Sequence, residues 1–92
     1  MKNRHASAFK ALSDPTRRAI LDLLRCGDLT AGEIVSRFSI TGASISHHLS
    51  ILKNAELVQV ERKGQQQIYS LDTTVFDDIA GWIQAFSGRK KQ

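Results

Sequence analysis

The spacing of apolar residues along the chain changes at about residue 57 from a helical period to a period of two. Before that point apolar residues recur three and four positions apart, which predicts helices. From Leu57 to Leu71 apolar and polar residues largely alternate, which predicts two strands joined by a turn at residues 62–65. A last amphipathic stretch opens at Asp72-Thr73. The predicted order is four helices, a hairpin and a final helix.

Residues that start helices divide the first 55 positions into four segments. After a short first helix, Asp14 can cap a second helix that begins at Pro15, where proline loses no hydrogen bond, and that ends at Gly27. The stretch Thr30–Glu33 has the form of a capping box and opens a third helix. After a very short connection, Thr41 caps a fourth.

This order predicts a mainly α fold with a small β-hairpin, a winged helix-turn-helix. The third and fourth helices form the helix-turn-helix at about residues 30–55, and the hairpin at about residues 57–71 forms the wing. We expect one domain over residues 1–92, because this length is close to that of a typical domain. So short a chain buries only about 60–65% of its unfolded surface, and a dimer would add to its core.

The fourth helix has an apolar side and a polar side. Ile45, Leu49 and Leu52 lie within about 40° of one another on a helical wheel. The opposite side and its flanks carry small or hydrogen-bonding side chains: Ala43, Ser44, Ser46, His47, Ser50 and Asn54. No carboxylate would repel phosphates there, so this face suits the major groove of DNA, with Lys53 at its rim near a phosphate. Ile51 is an exception, because this apolar residue projects partly toward the polar side. The alternative interpretation is a solvated helix face without function, which would have a similar composition.

The wing tip and the two histidines have further interpretations. Arg62 and Lys63 suit phosphates or the minor groove, although an exposed hairpin tip without function would look the same. His47 and His48 point about 100° apart on a helix, so they do not bind one metal together. His47 faces outward toward DNA. His48 leans inward, and we expect it to bond to the backbone or to a neighbouring helix.

The charge distribution is compatible with a polyanionic partner. The net charge is +4, and the pI is about 9.6. Three of the nine acidic residues lie together late in the chain: Asp72, Asp77 and Asp78. Between residues 37 and 63 the only acids are Glu56 and Glu61, and a basic tail occupies residues 89–91. The balance therefore favours nucleic acid without identifying it.

Other features of the composition indicate a cytoplasmic protein. No apolar run approaches the roughly 20 residues of a membrane helix, and residues 1–6 do not lead into the apolar core of a signal peptide. Cys26 has no second cysteine to pair with in the chain, which suits a reducing compartment. We expect Cys26 to be a small buried apolar residue, with a redox switch between subunits as the alternative.

Three strings together resemble the ArsR/SmtB family of repressors. They are Phe-Lys-Ala-Leu-Ser-Asp-Pro-Thr-Arg-Arg at 9–18, Ile-Ser-His-His-Leu at 45–49, and Arg-Lys-Gly at 62–64 with Ile-Tyr-Ser-Leu at 68–71. The resemblance extends in order and spacing from about residue 6 to residue 86. The last helix, with Trp82, is similar to that of the SdpR-like autorepressor branch.

This resemblance implies a homodimer with a recognition helix in the major groove of each half-site. The first and last helices, at about 5–12 and 73–87, would form the interface through Phe9, Leu12, Val75, Ile79, Trp82, Ile83 and Phe86. By position, DNA would be contacted by Thr41, Ser44, Ser46 and His47, and in the wing by Arg62 and Lys63. Arg17 or Arg18 would touch phosphates, or else be surface or ion-pair residues.

The chain departs from the metal-sensing members of that family. Their third helix carries a Cys-x-Cys type motif, whereas residues 29–33 here contain no thiol. Their last-helix sites use spaced His and carboxylates, and no His follows His48. A transition-metal site needs three or four converging ligands, so we expect neither a metal site nor a cofactor.

The predicted function is sequence-specific repression of transcription. A dimer bound to an inverted repeat would block access of the polymerase to a promoter, and the promoter of the protein's own gene would be among its targets. Release of repression would come from a protein partner, from a membrane-bound protein that sequesters the repressor, or from dilution. Two alternatives remain. Ser44 and His47 could be neighbours in an enzyme, although no acid lies near to orient the histidine. The winged helix could also bind protein or RNA instead of duplex DNA.

Overall fold

The computed structural model describes residues 3–88 and confirms the predicted fold class. Over these residues the elements, in chain order, are α1 Asn3–Leu12, α2 Pro15–Arg25, β1 Leu29–Thr30, α3 Ala31–Val35, α4 Gly42–Asn54, β2 Val58–Lys63, β3 Gln66–Leu71 and α5 Thr73–Gln84. The basic tail at 89–91 lies outside the described residues. Within the described range no helix combines the length and the apolar character needed to cross a membrane.

The predicted helix starts are confirmed by hydrogen bonds. Asp14 Oδ2 accepts from the backbone N–H groups of Thr16 at 2.8 Å and Arg17 at 3.1 Å. At the start of α3, Glu33 N–H donates to Thr30 Oγ1 at 3.1 Å and Thr30 N–H donates to Glu33 Oε1 at 2.8 Å, which completes the capping box. The third helix itself is short, and residues 36–37 continue it only as a turn.

The sheet has three strands, whereas the sequence predicted two. Its order is β1-β3-β2, with both pairs antiparallel. The two residues of β1 pair with Tyr69 and Ile68 of β3, and two residues are too few to show an alternation. Arg62 and Lys63 lie in β2 rather than in the turn, which is reduced to Gly64 and Gln65 between paired residues Lys63 and Gln66. Gly64 has φ 60°, the conformation that favours glycine.

One core joins all five helices. Its fully buried large side chains come from four helices and from the connection to β2: Ile20, Ile34, Ile45, Leu52, Leu57 and Val75. The predicted inner side of α4 is confirmed, since Leu49 is also buried. Ile51 is half-buried against the same core, so it does not interrupt the polar face.

The end of α4 is a turn that redirects the chain into the wing. Glu56 N–H donates to Lys53 O and Leu57 N–H donates to Leu52 O, both at 3.0 Å. These are the bonds of a Schellman motif, which needs a left-handed residue after the helix cap. Glu56 takes that conformation with φ 62°. The turn carries Leu57 back into the core beside Leu52.

The expectation that Cys26 is buried is wrong. Cys26 is exposed, because it is the residue that caps the end of α2, beyond the buried positions of that helix, Ile20, Leu21 and Leu24. Its Sγ lies 3.9 Å from the carbonyl oxygen of Asp22. The thiol therefore adds nothing to the core.

Candidate nucleic-acid interface

The outer face of α4 presents the predicted side chains to solvent. The inner side of α4 packs against the core through its buried residues Ile45, Leu49 and Leu52. The predicted DNA-contacting residues of this helix and its cap are all exposed: Thr41, Ala43, Ser44, Ser46, His47, Ser50 and Lys53. No residue from Thr41 to Asn54 carries a carboxylate. A close approach of this face to phosphates therefore meets no negative side chain of the helix.

Thr41 has a structural task at the start of α4. Its Oγ1 accepts from the backbone N–H of Ser44 at 3.1 Å and lies 3.1 Å from Ser44 Oγ. When the Thr41 hydroxyl donates to Ser44 Oγ, the Ser44 hydroxyl keeps its own proton to donate outward. The cap thus orients Ser44 at the N-terminus of the helix, where the helix dipole favours an anion such as phosphate.

The capping box stabilises the start of α3, the first helix of the helix-turn-helix, and lowers the pKa of one of its own residues. Glu33 accepts from the Thr30 backbone N–H, and this bond to the charged carboxylate lowers the pKa of Glu33 below its ordinary value.

The connection from α3 to α4 carries an exposed apolar residue. This residue, Ile40, stands directly before Thr41, the cap of α4.

The wing tip carries its two cations on opposite sides. Arg62 and Lys63 are both exposed at the end of β2, and successive strand residues point to opposite faces. Arg62 Nε donates to the carbonyl oxygen of Gly64 at 3.3 Å, which folds that side chain over the turn. The tip can therefore meet a backbone with positive charge from either side.

The prediction that His48 is bound to a neighbouring helix is confirmed. Its Nδ1 lies 3.1 Å from Arg17 Nη1, and its side chain is 17% exposed. Arg17 is used inside the molecule, since it also donates to the carbonyl oxygens of Lys10 and Ala11. Arg18 Nη1 donates to the carbonyl oxygen of Leu12 at 2.8 Å. Sequence reasoning missed this use of Arg17, because its partner lies 31 positions away.

The residues predicted for the dimer interface fall into two groups. Val75 and Ile79 are buried in the core of the chain, and Leu12 packs against that core. The other group is exposed to solvent and lies at the end of α5 and just beyond it. Its side chains are Trp82, 44% exposed, Ile83, 48% exposed, and Phe86, 66% exposed. Trp82 meets Phe9 of α1 edge-on at 5.9 Å between ring centroids and Phe86 at 5.0 Å. We call these four residues, Phe9, Trp82, Ile83 and Phe86, the aromatic face.

Among the side chains that the structure describes, no three His, Cys, Asp or Glu residues are grouped as a metal ion would require. His5 Nε2 lies 3.8 Å from Asp78 Oδ2, a contact that joins α1 to α5. His47 is exposed on the outer face of α4 and does not belong to the His5–Asp78 pair.

Comparison with known proteins gives consistent matches over this architecture. Residues 14–60 match the family model described as "Bacterial regulatory protein, arsR family". The transcriptional repressor SdpR of Bacillus subtilis (strain 168) is 58% identical over 80 residues, which cover 87% of this chain and 89% of that protein.

Solved structures show the same fold. An ArsR-like transcriptional regulator from Rhodococcus sp. RHA1 superposes with a TM-score of 0.81 at 29% identity, covering 90% of this chain and 78% of that one. A homodimeric winged helix-turn-helix DNA-binding domain from Mycobacterium bovis, a possible ArsR-family transcriptional regulator, superposes with a TM-score of 0.75 at 26% identity, covering 98% and 83%.

Proposed function

The chain belongs to the ArsR family of bacterial regulatory proteins, and on that premise we propose that it is a repressor that binds operator DNA as a homodimer. The operator would overlap a promoter, its own included, so that the bound dimer blocks RNA polymerase. Members of the family are DNA-binding transcription regulators and not enzymes. The hydrolytic alternative built on Ser44 and His47 is therefore dropped.

The observation that carries the proposal is the exposed, carboxylate-free outer face of α4. Ser44, Ser46 and His47 supply donors and acceptors for base edges, while the small Ala43 permits a close approach to a thymine methyl group. Lys53 at the far end of the helix and the two cations of the wing supply phosphate contacts that fix the register.

The aromatic face supports the dimeric part of the proposal. It leaves three large apolar side chains exposed at and just beyond the C-terminal end of α5, and a second copy would cover them. A two-fold dimer presents two recognition helices to two half-sites of an inverted repeat, which matches the symmetry of the operator to that of the protein.

We propose that release from DNA does not depend on a metal ion. The position at which metal-sensing relatives carry thiols is occupied by Leu29-Thr30-Ala31-Gly32-Glu33, in which Thr30 and Glu33 are engaged in the capping box. Release of this cytoplasmic repressor then follows from a protein partner, from a membrane-bound protein that sequesters it, or from dilution in an autoregulatory loop.

The test begins with selection of duplexes from a random pool by the wild-type protein. Its affinity for the selected duplex and for a scrambled duplex of equal composition is then measured over a salt series. We expect the selected duplex to bind at least about a thousandfold more tightly. Added Zn²⁺ or a chelator should leave both affinities unchanged.

Two variants separate base contacts from phosphate contacts. His47→Ala should lower the selected-to-scrambled ratio about tenfold or more and leave the scrambled affinity unchanged. Lys53→Gln should weaken binding to both duplexes and reduce the salt slope by about one. Equal, weak binding of the wild-type protein to both duplexes would contradict the proposal and would direct attention to a protein or RNA partner.

A further inference from the structure

Arg17 connects three helices with one side chain. It stands in the first turn of α2, and its Nε and Nη2 donate to Ala11 O at 2.7 Å and Lys10 O at 3.2 Å in the last turn of α1. Its Nη1 lies 3.1 Å from His48 Nδ1 on α4. Because the guanidinium group is planar and rigid, these bonds fix the end of α1 and the middle of α4 at defined positions around it.

The chemistry of arginine decides the direction of its bond to His48. A guanidinium group has five donors and no acceptor, so in the bond between Arg17 and His48 the arginine donates and Nδ1 of His48 accepts. Asp14 Oδ2, 3.9 Å from the same nitrogen, is occupied by the N–H groups of Thr16 and Arg17. His48 is therefore held by one directional bond to Arg17.

A directional bond restricts rotation of a helix about its own axis more sharply than apolar packing does. Ile45, Leu49 and Leu52 hold the helix by contacts that are not directional, whereas a hydrogen bond weakens steeply when its angle departs from a straight line. His47 directly precedes His48 in the chain and points about 100° away from it around the helix axis. A rotation of α4 that breaks the bond at His48 also changes the direction of His47.

We infer that Arg17 and His48 are positioning residues for DNA recognition, which set the rotation of α4 relative to α1. In this role both residues act through the orientation of α4 and not through a contact of their own with DNA. Since α1 contributes Phe9 to the aromatic face, the link also ties the recognition helix to the end of the molecule that would meet a second copy. This inference rests on the proposed function and adds to it the residues that orient the reading face.

The test compares two substitutions of one residue on the selected and scrambled duplexes. His48→Leu keeps an apolar volume at the site but offers no acceptor, while His48→Gln offers an amide oxygen to Arg17. We expect His48→Leu to lower the selected-to-scrambled affinity ratio about tenfold, with the scrambled affinity within about twofold of wild type. His48→Gln should keep the ratio within about threefold.

A second pair of variants tests the same bond from its other end. Arg17→Lys keeps the charge but loses the planar fork, so it should lower the ratio as His48→Leu does. The double variant should fall no further than Arg17→Lys alone, because the substitution of Arg17 already removes the bond to His48. All measurements are made on protein shown to be folded by circular dichroism and to have the wild-type sedimentation coefficient. Arg17→Lys decides the question if His48→Leu does not fold.

The outcomes distinguish this inference from the proposed function. A wild-type protein that enriches no duplex overturns the proposed function before any variant is measured. If the wild-type protein discriminates and the folded variants discriminate equally well, Arg17 and His48 only stabilise the fold, and the positioning role is overturned. A parallel loss of affinity for both duplexes would also overturn it.

Discussion

Glu56 occupies a backbone conformation that its side chain disfavours. Within residues 3–88 it is the one non-glycine residue with positive φ. In this region Cβ comes close to the carbonyl oxygen that follows it, at a cost of roughly 1 kcal/mol or more. The conformation persists because the turn must bring Leu57 back to the core, where it is fully buried. The strain is thus located where the recognition helix meets the wing.

Glu56→Gly should raise the free energy of unfolding by about 0.5–1 kcal/mol. The relief of the left-handed backbone exceeds the greater freedom that glycine gives the unfolded chain. Urea denaturation measures the change. Glu56→Gln, which removes the charge but keeps the strain, serves as the matched control. Equal stabilities of the Gly and Gln variants would show that Glu56 is not strained. Glu61→Gly, in an ordinary strand position, should be destabilising.

At the scale of elements, the helix starts were predictable because capping is local. Asp14, Thr30 and Thr41 each bond to a backbone group two or three residues away, so the pattern is readable within one short stretch of sequence. The strand β1 was not predictable, since its two residues become a strand only by pairing with Tyr69 and Ile68 far along the chain. The link from Arg17 to His48 escaped prediction for the same reason.

Carboxylates at three helix starts should make stability fall in acid. The pKa of Asp14, Glu33 and Asp72 is lowered, in each case chiefly by a hydrogen bond from a backbone N–H. A carboxyl group whose folded pKa lies below its unfolded value contributes stability above the unfolded value, which is about 4. The stability contributed by these carboxylates should be complete near pH 5, and it should be lost progressively as the pH falls below the unfolded pKa and through the lowered folded pKa.

Urea denaturation between pH 5 and pH 2.5 tests this expectation. Substitution of all three carboxyl groups by their amides, Asp14→Asn, Glu33→Gln and Asp72→Asn, keeps an oxygen acceptor at each cap but removes the titration. The triple variant should lose less stability than the wild-type protein over this range. Denaturation midpoints that fall in parallel for the two proteins would assign the acid sensitivity to other groups.

At the scale of the molecule, periodicity predicted the apolar side of α5 but not how much of it the chain itself covers. Val75 and Ile79 lie over the core, whereas Trp82 and Ile83 are both about one turn beyond Ile79 and remain exposed. Spacing alone assigns all of them to one stripe. Only the positions of the other helices decide where the core ends and where an open surface begins, and they cover Val75 and Ile79 within the chain itself.

Phe86→Glu should convert the proposed dimer into a monomer. Phe86 is 66% exposed and absent from the core, so a charge there leaves the fold intact but would be buried unpaired in an interface. We expect the dimer dissociation constant, measured by analytical ultracentrifugation, to rise about a hundredfold or more. Operator affinity should fall with it, because each half-site then binds separately.

Ile40→Glu is the matched control for that substitution. It also places a carboxylate at an exposed apolar residue, but in the turn beside the recognition helix. It should weaken DNA binding through repulsion of phosphates and leave sedimentation unchanged. If the Phe86→Glu variant sediments like the wild-type protein, an interface built on the aromatic face is contradicted.

The position of Trp82 gives the protein a built-in optical reporter. Trp82 is the single tryptophan of the chain, and it stands in the aromatic face, partly open to water. Indole emission shifts to shorter wavelength when water leaves its surroundings, so the fluorescence of unlabelled protein depends on whether this face is bare or covered. Assembly can thus be followed at concentrations too low for sedimentation, and in the same cuvette to which DNA is added.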